Sequence, residues 1–357
     1  MPLPKVPKKF LPKLTSVFLF LYVAATLPLL TNRFTSFAYI VQASGQKAQN
    51  AGGEATESYR QAIQPNPWDA SIYQFLGSQL SNQGKVDEAI AAYRQSIQLE
   101  PKYYSAYEEL GKALIKQGKY DEAIATYRQA IKVFPQWTWA YNELGKALDN
   151  RWKYDEAIAA YRQAIQIYPN YAEAYYNLGN TLSYQGKQEE AIAAYRQAIQ
   201  IYPNYGEAYS SLGWFLQQEG RLDEAIAAYR QAVKIYPKYA TVYVNLGNAL
   251  KDVGKQQEAI AAWHKAIEIG DKDPAAAGYA NLANLFNEQN KLNEAVTTYR
   301  KAIEIEPSQK DRAFFYRRIG YILSKLNKLY EALIAYKKVI ELEPEGEHPG
   351  FAKTSNG

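Results

Sequence analysis

Apolar residues recur at spacings of three and four along most of the chain, in segments of about a dozen residues. Tyr175, Leu178 and Leu182 share one helical face in one segment, and Ala191 and Tyr195 share a face in the next. This spacing is typical of amphipathic helices that bury one side. Each segment is therefore predicted to form one helix.

The segments repeat with a period of 34 residues. The stretch AIAAYRQAIQIYPNY occurs without a difference at 157–171 and at 191–205. A weaker, partial frame at 36–69 precedes the first full frame, with Tyr39 and Tyr59 at the expected positions. We number the places within a frame from its first residue, and the eight full frames begin at Ala70, Tyr104, Thr138, Ala172, Gly206, Ala240 and, after insertions of two and three residues, Ala276 and Ala313.

Each frame has the same internal pattern. Tyr stands at place 4, an aliphatic and a small residue at places 7 and 8, a small residue at place 20 and an aromatic residue at place 24. The small residues are expected to let two antiparallel helices approach closely while the rings fill the space alongside. Glycine ends the first helix in a left-handed conformation at Gly84, Gly118, Gly186, Gly220 and Gly254, and acids follow as N-caps or first-turn residues at Asp87, Asp121, Asp155 and Asp223.

The pattern Tyr-x-x-Leu-Gly-x-x-Leu, then Ala-x-x-x-Tyr, then a closing Pro resembles the tetratricopeptide repeat family over residues 70–346. The resemblance implies an all-α fold, a right-handed superhelical solenoid of stacked antiparallel helix pairs with about eight full repeats and one partial repeat. It also implies a concave groove, lined by the first helices, that binds peptides or partner proteins. Residues 347–357 are expected to be a polar tail.

Two positions depart from the pattern. Trp152 stands where five other frames carry the turn glycine. Because a left-handed Trp costs about 1 kcal/mol or more, we expect this turn to be rebuilt and the ring to pack locally. The second departure is the outer face of the last repeat, which no further predicted helix covers. That face is either solvated by Lys337 and Lys338 or used for contact.

The N-terminus carries a separate signal. A basic flank at 1–13 precedes LTSVFLFLYVAATLPLL at 14–30, a run without charge. Its length as a helix is roughly 25 Å, which suits a short membrane-spanning segment; the alternative is a buried core helix. The positive-inside rule keeps the basic end in the cytoplasm and places the repeats on the far side. We favour an uncleaved single-pass anchor over a cleaved signal peptide, for which Val23 and Ala25 would supply a site.

Candidate functional residues lie on the first helices at places not used for packing. Large rings in frames three to five would form an apolar patch for a partner, namely Trp139, Tyr176, Tyr184 and Trp214. The alternative is that Trp139 and Trp214 fold back onto the preceding repeat.

Asparagines form a second candidate set. The sequences NLGN, NLGN and NLAN place amides at Asn177, Asn180, Asn245, Asn248, Asn281 and Asn284. An amide both donates and accepts, so a row of them can hold the backbone of an extended peptide. Asn177, Asn245 and Asn281 match the asparagine ladder in the repeats of O-linked N-acetylglucosamine transferases, as a resemblance. The alternative is that these amides tie adjacent helices together.

Composition excludes several other functions. The chain has no Cys and two His residues, so thiol chemistry is excluded and a His-based catalytic dyad is improbable. No nucleophile elbow, phosphate loop or HExxH motif occurs. We expect no enzyme activity, cofactor, metal or small-molecule substrate.

The net charge of +5 arises wholly near the N-terminus, from Lys5, Lys8, Lys9, Lys13 and Arg33. No basic stripe therefore remains for nucleic acid.

The sequence therefore predicts a membrane-anchored scaffold or adaptor that holds a partner protein or extended peptide in its groove. One alternative is an assembly factor for a membrane complex, for example a photosynthetic one. Another is a regulatory subunit that recruits a separate enzyme such as a glycosyltransferase.

Overall fold

The computed structural model describes residues 30–46 and 52–343, and no strand occurs among them. Residues 30–46 are helical and are called α1. The remaining helices are α2 (Gly52–Ile63), α3 (Ala70–Asn82), α4 (Val86–Leu99), α5 (Tyr104–Lys116), α6 (Tyr120–Val133), α7 (Thr138–Asp149), α8 (Tyr154–Ile167), α9 (Ala172–Tyr184), α10 (Gln188–Ile201), α11 (Gly206–Gln218), α12 (Leu222–Ile235), α13 (Ala240–Asp252), α14 (Gln256–Ile269), α15 (Lys272–Glu288), α16 (Leu292–Ile305), α17 (Gln309–Lys325) and α18 (Leu329–Leu342).

Contacts divide the chain into two units, which meet in sequence between Gln185 and Gly186. In the first unit, α3 packs on α4, α5 on α6 and α7 on α8, and each pair contacts the next. In the second unit, the same arrangement joins α11 with α12, α13 with α14, α15 with α16 and α17 with α18. The predicted all-α fold of stacked helix pairs is confirmed.

A glycine and an aromatic ring set the spacing within a pair. The glycine at place 8 faces the ring at place 24, and a Cβ added to Gly145 would lie 2.5 Å from Cε1 of Tyr161. A Cβ on Gly247 would lie 2.3 Å from Nε1 of Trp263. The rings thus occupy the space that the glycines leave, and those at place 24 are almost wholly buried from Tyr93 to Tyr299.

The turn within each pair needs a left-handed residue at place 15. The glycines predicted there have φ between 71° and 79°, and Asn290 and Asn327 take the same conformation at 61° and 58°. Trp152 does so as well, with φ of 56°. Its turn also keeps the usual bond pattern, because the amide of Lys153 donates to the carbonyl of Leu148 at 3.0 Å, as that of Lys119 donates to Leu114 at 2.9 Å.

The expectation for Trp152 was therefore wrong on both points. The turn is not rebuilt, and the indole is 78% exposed instead of packed. The hydrogen bonds and packing of the two flanking helices hold the backbone in the shape that the other frames adopt with glycine. The strain is local and small compared with those contacts.

The acids after the turn are first-turn residues and not N-caps. The N-cap positions of α4, α6, α8 and α12 are basic and make no side-chain capping bond. Asp87 and its counterparts lie in the first turn, where their charge favours the positive end of the helix dipole. The two insertions lengthen first helices, because α15 and α17 begin at Lys272 and Gln309, before their frames start.

Ion pairs connect successive second helices within each unit. The arginine at place 25 of one frame contacts the glutamate at place 19 of the next, as in Arg60 with Glu88 at 2.9 Å and Arg196 with Glu224 at 2.8 Å. The same pairs recur as Arg94–Glu122, Arg128–Glu156, Arg230–Glu258 and Arg300–Glu331. Both partners are exposed, so each pair contributes at most about 1 kcal/mol.

The predicted membrane segment at 14–30 lies outside the described residues except for Leu30, the first described residue of α1. Within 30–46 and 52–343, none of the helices combines the length and the apolar character that crossing a bilayer requires. The tail at 347–357 also lies outside the described residues.

Candidate functional site

The first helices of neighbouring frames touch each other within each unit. α3 contacts α5 and α7 contacts α9 in the first unit, and α13 contacts α11 and α15 in the second. Their outward-facing places, 2, 5, 6, 9, 12 and 13, therefore form a continuous strip in each unit. We call this strip the first-helix surface; it carries every predicted site residue.

Trp139 is half-buried and takes part in packing. Its ring stacks on Trp137 with centroids 5.1 Å apart and meets Tyr127 of the preceding frame edge-on at 5.8 Å. The ammonium of Lys112 lies 5.6 Å from the ring centroid. Trp139 thus folds back onto the preceding repeat, which was the alternative interpretation of this residue.

Tyr184 and Trp214 are the more exposed of the four predicted rings. Tyr184, in the first unit, is 69% exposed and stacks on Tyr154 at 5.7 Å. Trp214, in the second unit, is 45% exposed and meets Phe215 edge-on at 4.6 Å. Tyr176 is half-buried in α9. Each exposed ring contacts one neighbouring ring and keeps much of its surface open to solvent.

An aromatic cluster that the sequence did not single out lies beside Trp139. The ring of Trp137 meets Tyr104 and Phe134 edge-on, each at 5.8 Å. The stretch FPQWTW at 134–139 was the available signal, since it carries three rings across the closing turn and the start of α7, more than the matching stretch of any other frame. A shallow apolar notch is lined by Tyr104, Phe134, Pro135 and Trp137.

Charges on the first-helix surface of the first unit neutralise one another. Lys112 Nζ lies 2.5 Å from Glu108 and 3.3 Å from Glu109. Lys146 Nζ lies 2.8 Å from Glu143. Positively and negatively charged side chains therefore lie side by side on this surface, around the half-buried ring of Trp139.

Two of the predicted asparagines bond to asparagines of the preceding first helix. Asn177 Nδ2 donates to Oδ1 of the fully buried Asn142 at 3.0 Å, and Asn281 Nδ2 donates to Asn248 Oδ1 at 2.8 Å. These bonds tie adjacent first helices together. Asn180 and Asn245 are half-buried on the same surface.

Asn248 and Asn284 also serve the buried rings. The indole N–H of Trp263 donates to Asn248 Oδ1 at 3.1 Å, and the hydroxyl of Tyr299 donates to Asn284 Oδ1. Burial raises the pKa of Tyr299 to about 12, so it remains a donor. A buried polar ring atom needs a partner, a requirement that the sequence reasoning missed. These hydrogen bonds do not test whether the asparagine amides bind a peptide, so peptide binding by them stays a prediction.

In the first unit, the carboxylate of Asp149 is the hydrogen-bond partner of a buried ring, that of Tyr161. Its carboxylate accepts from the hydroxyls of Tyr161 and Thr181, each at 2.8 Å. Burial raises the pKa of Asp149, and these two hydrogen bonds partly offset that effect. Burial and the nearby carboxylate together raise the pKa of Tyr161. Over the described ranges, no three His, Asp or Glu side chains are grouped closely enough to hold a metal ion.

Paired helices that recur at a near-constant period, joined by a left-handed turn and stacked through a buried ring, define a helical-repeat protein. Comparison with known proteins gives the family. A family model described as "Cilia and flagella-associated protein 70 C-terminal domain", a tetratricopeptide repeat model, matches residues 35–282. Two further models described as "Tetratricopeptide repeat" match residues 276–309 and 315–345. The chain belongs to this tetratricopeptide repeat family.

Solved structures with similarity include "Crystal structure of MamA", with 29% identity, a TM-score of 0.43 and coverage of 46% of this chain and 95% of that one. "Crystal structure of YrrB: a TPR protein with an unusual peptide-binding site" has 22% identity, a TM-score of 0.43 and coverage of 52% and 95%. "MamA 41-end from Desulfovibrio magneticus RS-1" has 18% identity, a TM-score of 0.44 and coverage of 48% and 97%. A search of curated proteins gave no match to the chain.

Proposed function

We propose that the chain is a protein-interaction scaffold that binds a partner protein or an extended peptide on its first-helix surface. Tetratricopeptide repeat proteins generally act as scaffolds and not as enzymes. The observation that carries the proposal is the exposure of Tyr184 and Trp214. Place 13 in the other full frames is Asn, Lys, Gln, Asp or Glu. Place 9 is Ser, Lys or Asn in the other full frames except the eighth, where it is Tyr321, which is 48% exposed.

Each of these two rings contacts a neighbouring ring, and this favours a role in binding a partner. Tyr184 stacks on Tyr154 and Trp214 meets Phe215, so a neighbouring ring restricts the movement of each. A ring that is already immobilised loses little entropy when a partner covers its open face. Aromatic anchors of this kind supply much of the binding energy in protein interfaces. Half-buried amides lie on the first-helix surface of the same units, Asn177 in the unit of Tyr184 and Asn245 in that of Trp214, where backbone contacts are proposed.

The proposal includes a membrane anchor at residues 14–30. The charge-free run and the basic flank at 1–13 support it. In this arrangement the N-terminus is cytoplasmic and the repeats lie on the far side; export after cleavage is the second possibility. Membrane fractionation with sequencing of the mature N-terminus tests the anchor, and a wholly soluble protein that begins at Met1 would exclude both forms.

The binding proposal is tested by crosslinking mass spectrometry on native membranes. The variants are Tyr184→Ala and Trp214→Ala, together with Trp139→Ala/Trp214→Ala. Trp152→Ala is the matched control, because its indole is exposed on a turn outside the first-helix surface. We expect Tyr184→Ala and Trp214→Ala to lose partner crosslinks and the control to keep them.

An unchanged set of partners in all variants would refute the role of these rings. The same data separate the two alternatives for the scaffold. Subunits of one membrane complex among the lost partners would indicate an assembly factor. A soluble enzyme as the main lost partner would indicate a regulatory subunit.

A further inference from the structure

The outer face of α18 carries the apolar residues of an internal junction without a covering helix. At place 21, Ile90, Ile124 and Ile226 are buried, but Leu333 is 66% exposed. At place 24, the aromatic residue is almost fully buried in every other frame, but Tyr336 is 37% exposed. In the other frames, the first helix of the following repeat covers these places, and no described residue does so for α18.

The outer face of α1 is uncovered in the complementary way. Rings at place 24 meet the following first helix at several places: Tyr195 meets Phe215 at place 10 and Tyr299 meets Phe315 at place 3. Tyr127 meets Trp139 at place 2, and Tyr59 meets Phe75 at place 6 with centroids 6.0 Å apart. In α1 these two places hold Phe37 and Val41, which are 64% and 54% exposed.

Place 3 of α1 is also exposed, although the same place is buried in other first helices. It is fully buried in α5, α7, α9 and α11 as Ala106, Ala140, Ala174 and Ala208. In α1 the residue at this place, Ala38, is exposed. The face of α1 at the position where an internal first helix meets the preceding repeat is therefore not covered by any described residue.

The charges at the two faces match as well. Every described arginine–glutamate pair between second helices joins place 25 to place 19 of the next frame, as in Arg60–Glu88. On α18 place 25 is Lys337, which is exposed, and on α2 place 19 is Glu54, also exposed. Glu54 accepts a hydrogen bond from Gln46 at 3.3 Å, and among the described residues no arginine or lysine pairs with it.

We propose that the protein associates head to tail with a second copy of itself, so that α18 of one molecule packs against α1 of the next as at an internal repeat junction. Tyr336 then meets Phe37 and Val41, and Lys337 faces Glu54. Such a contact is heterologous, and it leaves one α18 and one α1 free for further copies.

The contact should be weaker than an internal junction. Place 7 of α1 is Gln42, whereas internal frames bury Leu there, as in Leu110 and Leu144. One apolar contact is thus replaced by a polar one. The association is therefore expected to be reversible and concentration-dependent.

The absence of Cys permits a direct test with the full chain in mild detergent. Phe37→Cys and Tyr336→Cys are prepared separately and treated with a short bismaleimide. We expect crosslinked dimers when the two variants are mixed and none when either is treated alone. A dimer from Tyr336→Cys alone would show that two α18 helices pair symmetrically, and the proposal would be wrong. No dimer in the mixture would refute it too.

Sedimentation of the full chain supplies a second measurement. Wild type is expected to exceed the dimer mass as its concentration rises. Leu333→Glu and Lys337→Glu should each raise the concentration needed by on the order of tenfold. Lys337→Glu/Glu54→Lys should restore association. Ile334→Ser is the matched control, because place 22 is exposed in internal frames too, as at Ala91. A mass that stays monomeric at all concentrations, or equal losses in the control, would contradict the proposal.

Discussion

The ring of Tyr127 occupies the position that a side chain on Gly111 would need. A Cβ added to Gly111 would lie 2.3 Å from Cε1 of that ring, a distance that real Cβ atoms do not reach. The ring is itself fully buried between two frames, so it cannot swing into solvent. Glycine at place 8 is thus sterically matched to the ring at place 24 in this hairpin, whereas the seventh frame accommodates Ala283 together with the buried Tyr299.

Gly111→Ala is therefore expected to destabilise the protein. Overpacking of a buried site costs about 1–3 kcal/mol, which outweighs the gain of up to about 1 kcal/mol in helix propensity. Thermal or urea unfolding of the full chain measures the difference. Gly53→Ala is the control, since no atom lies within 4 Å of its added Cβ, and it should be neutral or stabilising. Equal behaviour of the two variants would contradict the steric account.

Trp152→Gly is expected to stabilise the protein. A left-handed non-glycine residue costs roughly 1 kcal/mol, and the indole is mostly exposed, so little packing is lost. Trp152→Ala should leave stability nearly unchanged, because alanine keeps the strain. Gly118→Ala, at the same place with φ of 71°, should lose about 1 kcal/mol. A loss of stability in Trp152→Gly would mean that the ring has a packing role.

Asp149→Asn is expected to change how stability depends on pH. Burial raises the pKa of Asp149 in the folded state, so the folded protein binds the proton more tightly than the unfolded chain. The stability associated with the protonated carboxyl is full below the unfolded pKa and is lost as pH rises through the folded pKa. Asn keeps an acceptor for Tyr161 and does not titrate.

The measurement is the melting temperature of wild type and Asp149→Asn between pH 3 and pH 7. Wild type should lose stability relative to the variant as pH rises from the lower limit, and each unit of pKa shift corresponds to about 1.4 kcal/mol. Parallel curves across the range would show that the hydrogen bonds from Tyr161 and Thr181 fully compensate for burial.

Most of the fold was accessible from the sequence. The turn glycines, the small residue at place 8 and the ring at place 24 act within one frame, and their spacing alone predicts a helix hairpin. The exception at Trp152 shows the limit of local reasoning. Its conformational cost was read correctly, but the contacts of the flanking helices outweigh it.

The candidate site was less accessible. Trp139 and Trp214 look equivalent in sequence, yet Trp139 packs on Trp137 and Tyr127 while Trp214 keeps an open face. Asn248 looks like a groove residue, yet its oxygen accepts from the indole of Trp263. Whether a polar side chain is available depends on what the neighbouring helix leaves unpaired.

By itself, the sequence determined the helix hairpins, their number and the order in which they stack, because the interactions that encode them recur within 34 residues and repeat from frame to frame. The tertiary structure alone decided which side chains the stacking uses. Asn142 and Asn177 meet across two repeats, and the burial of Leu333 depends on a helix that would come from another repeat. Hydrogen bonding and burial depend on distance in space, which a repeat period does not specify for a single side chain.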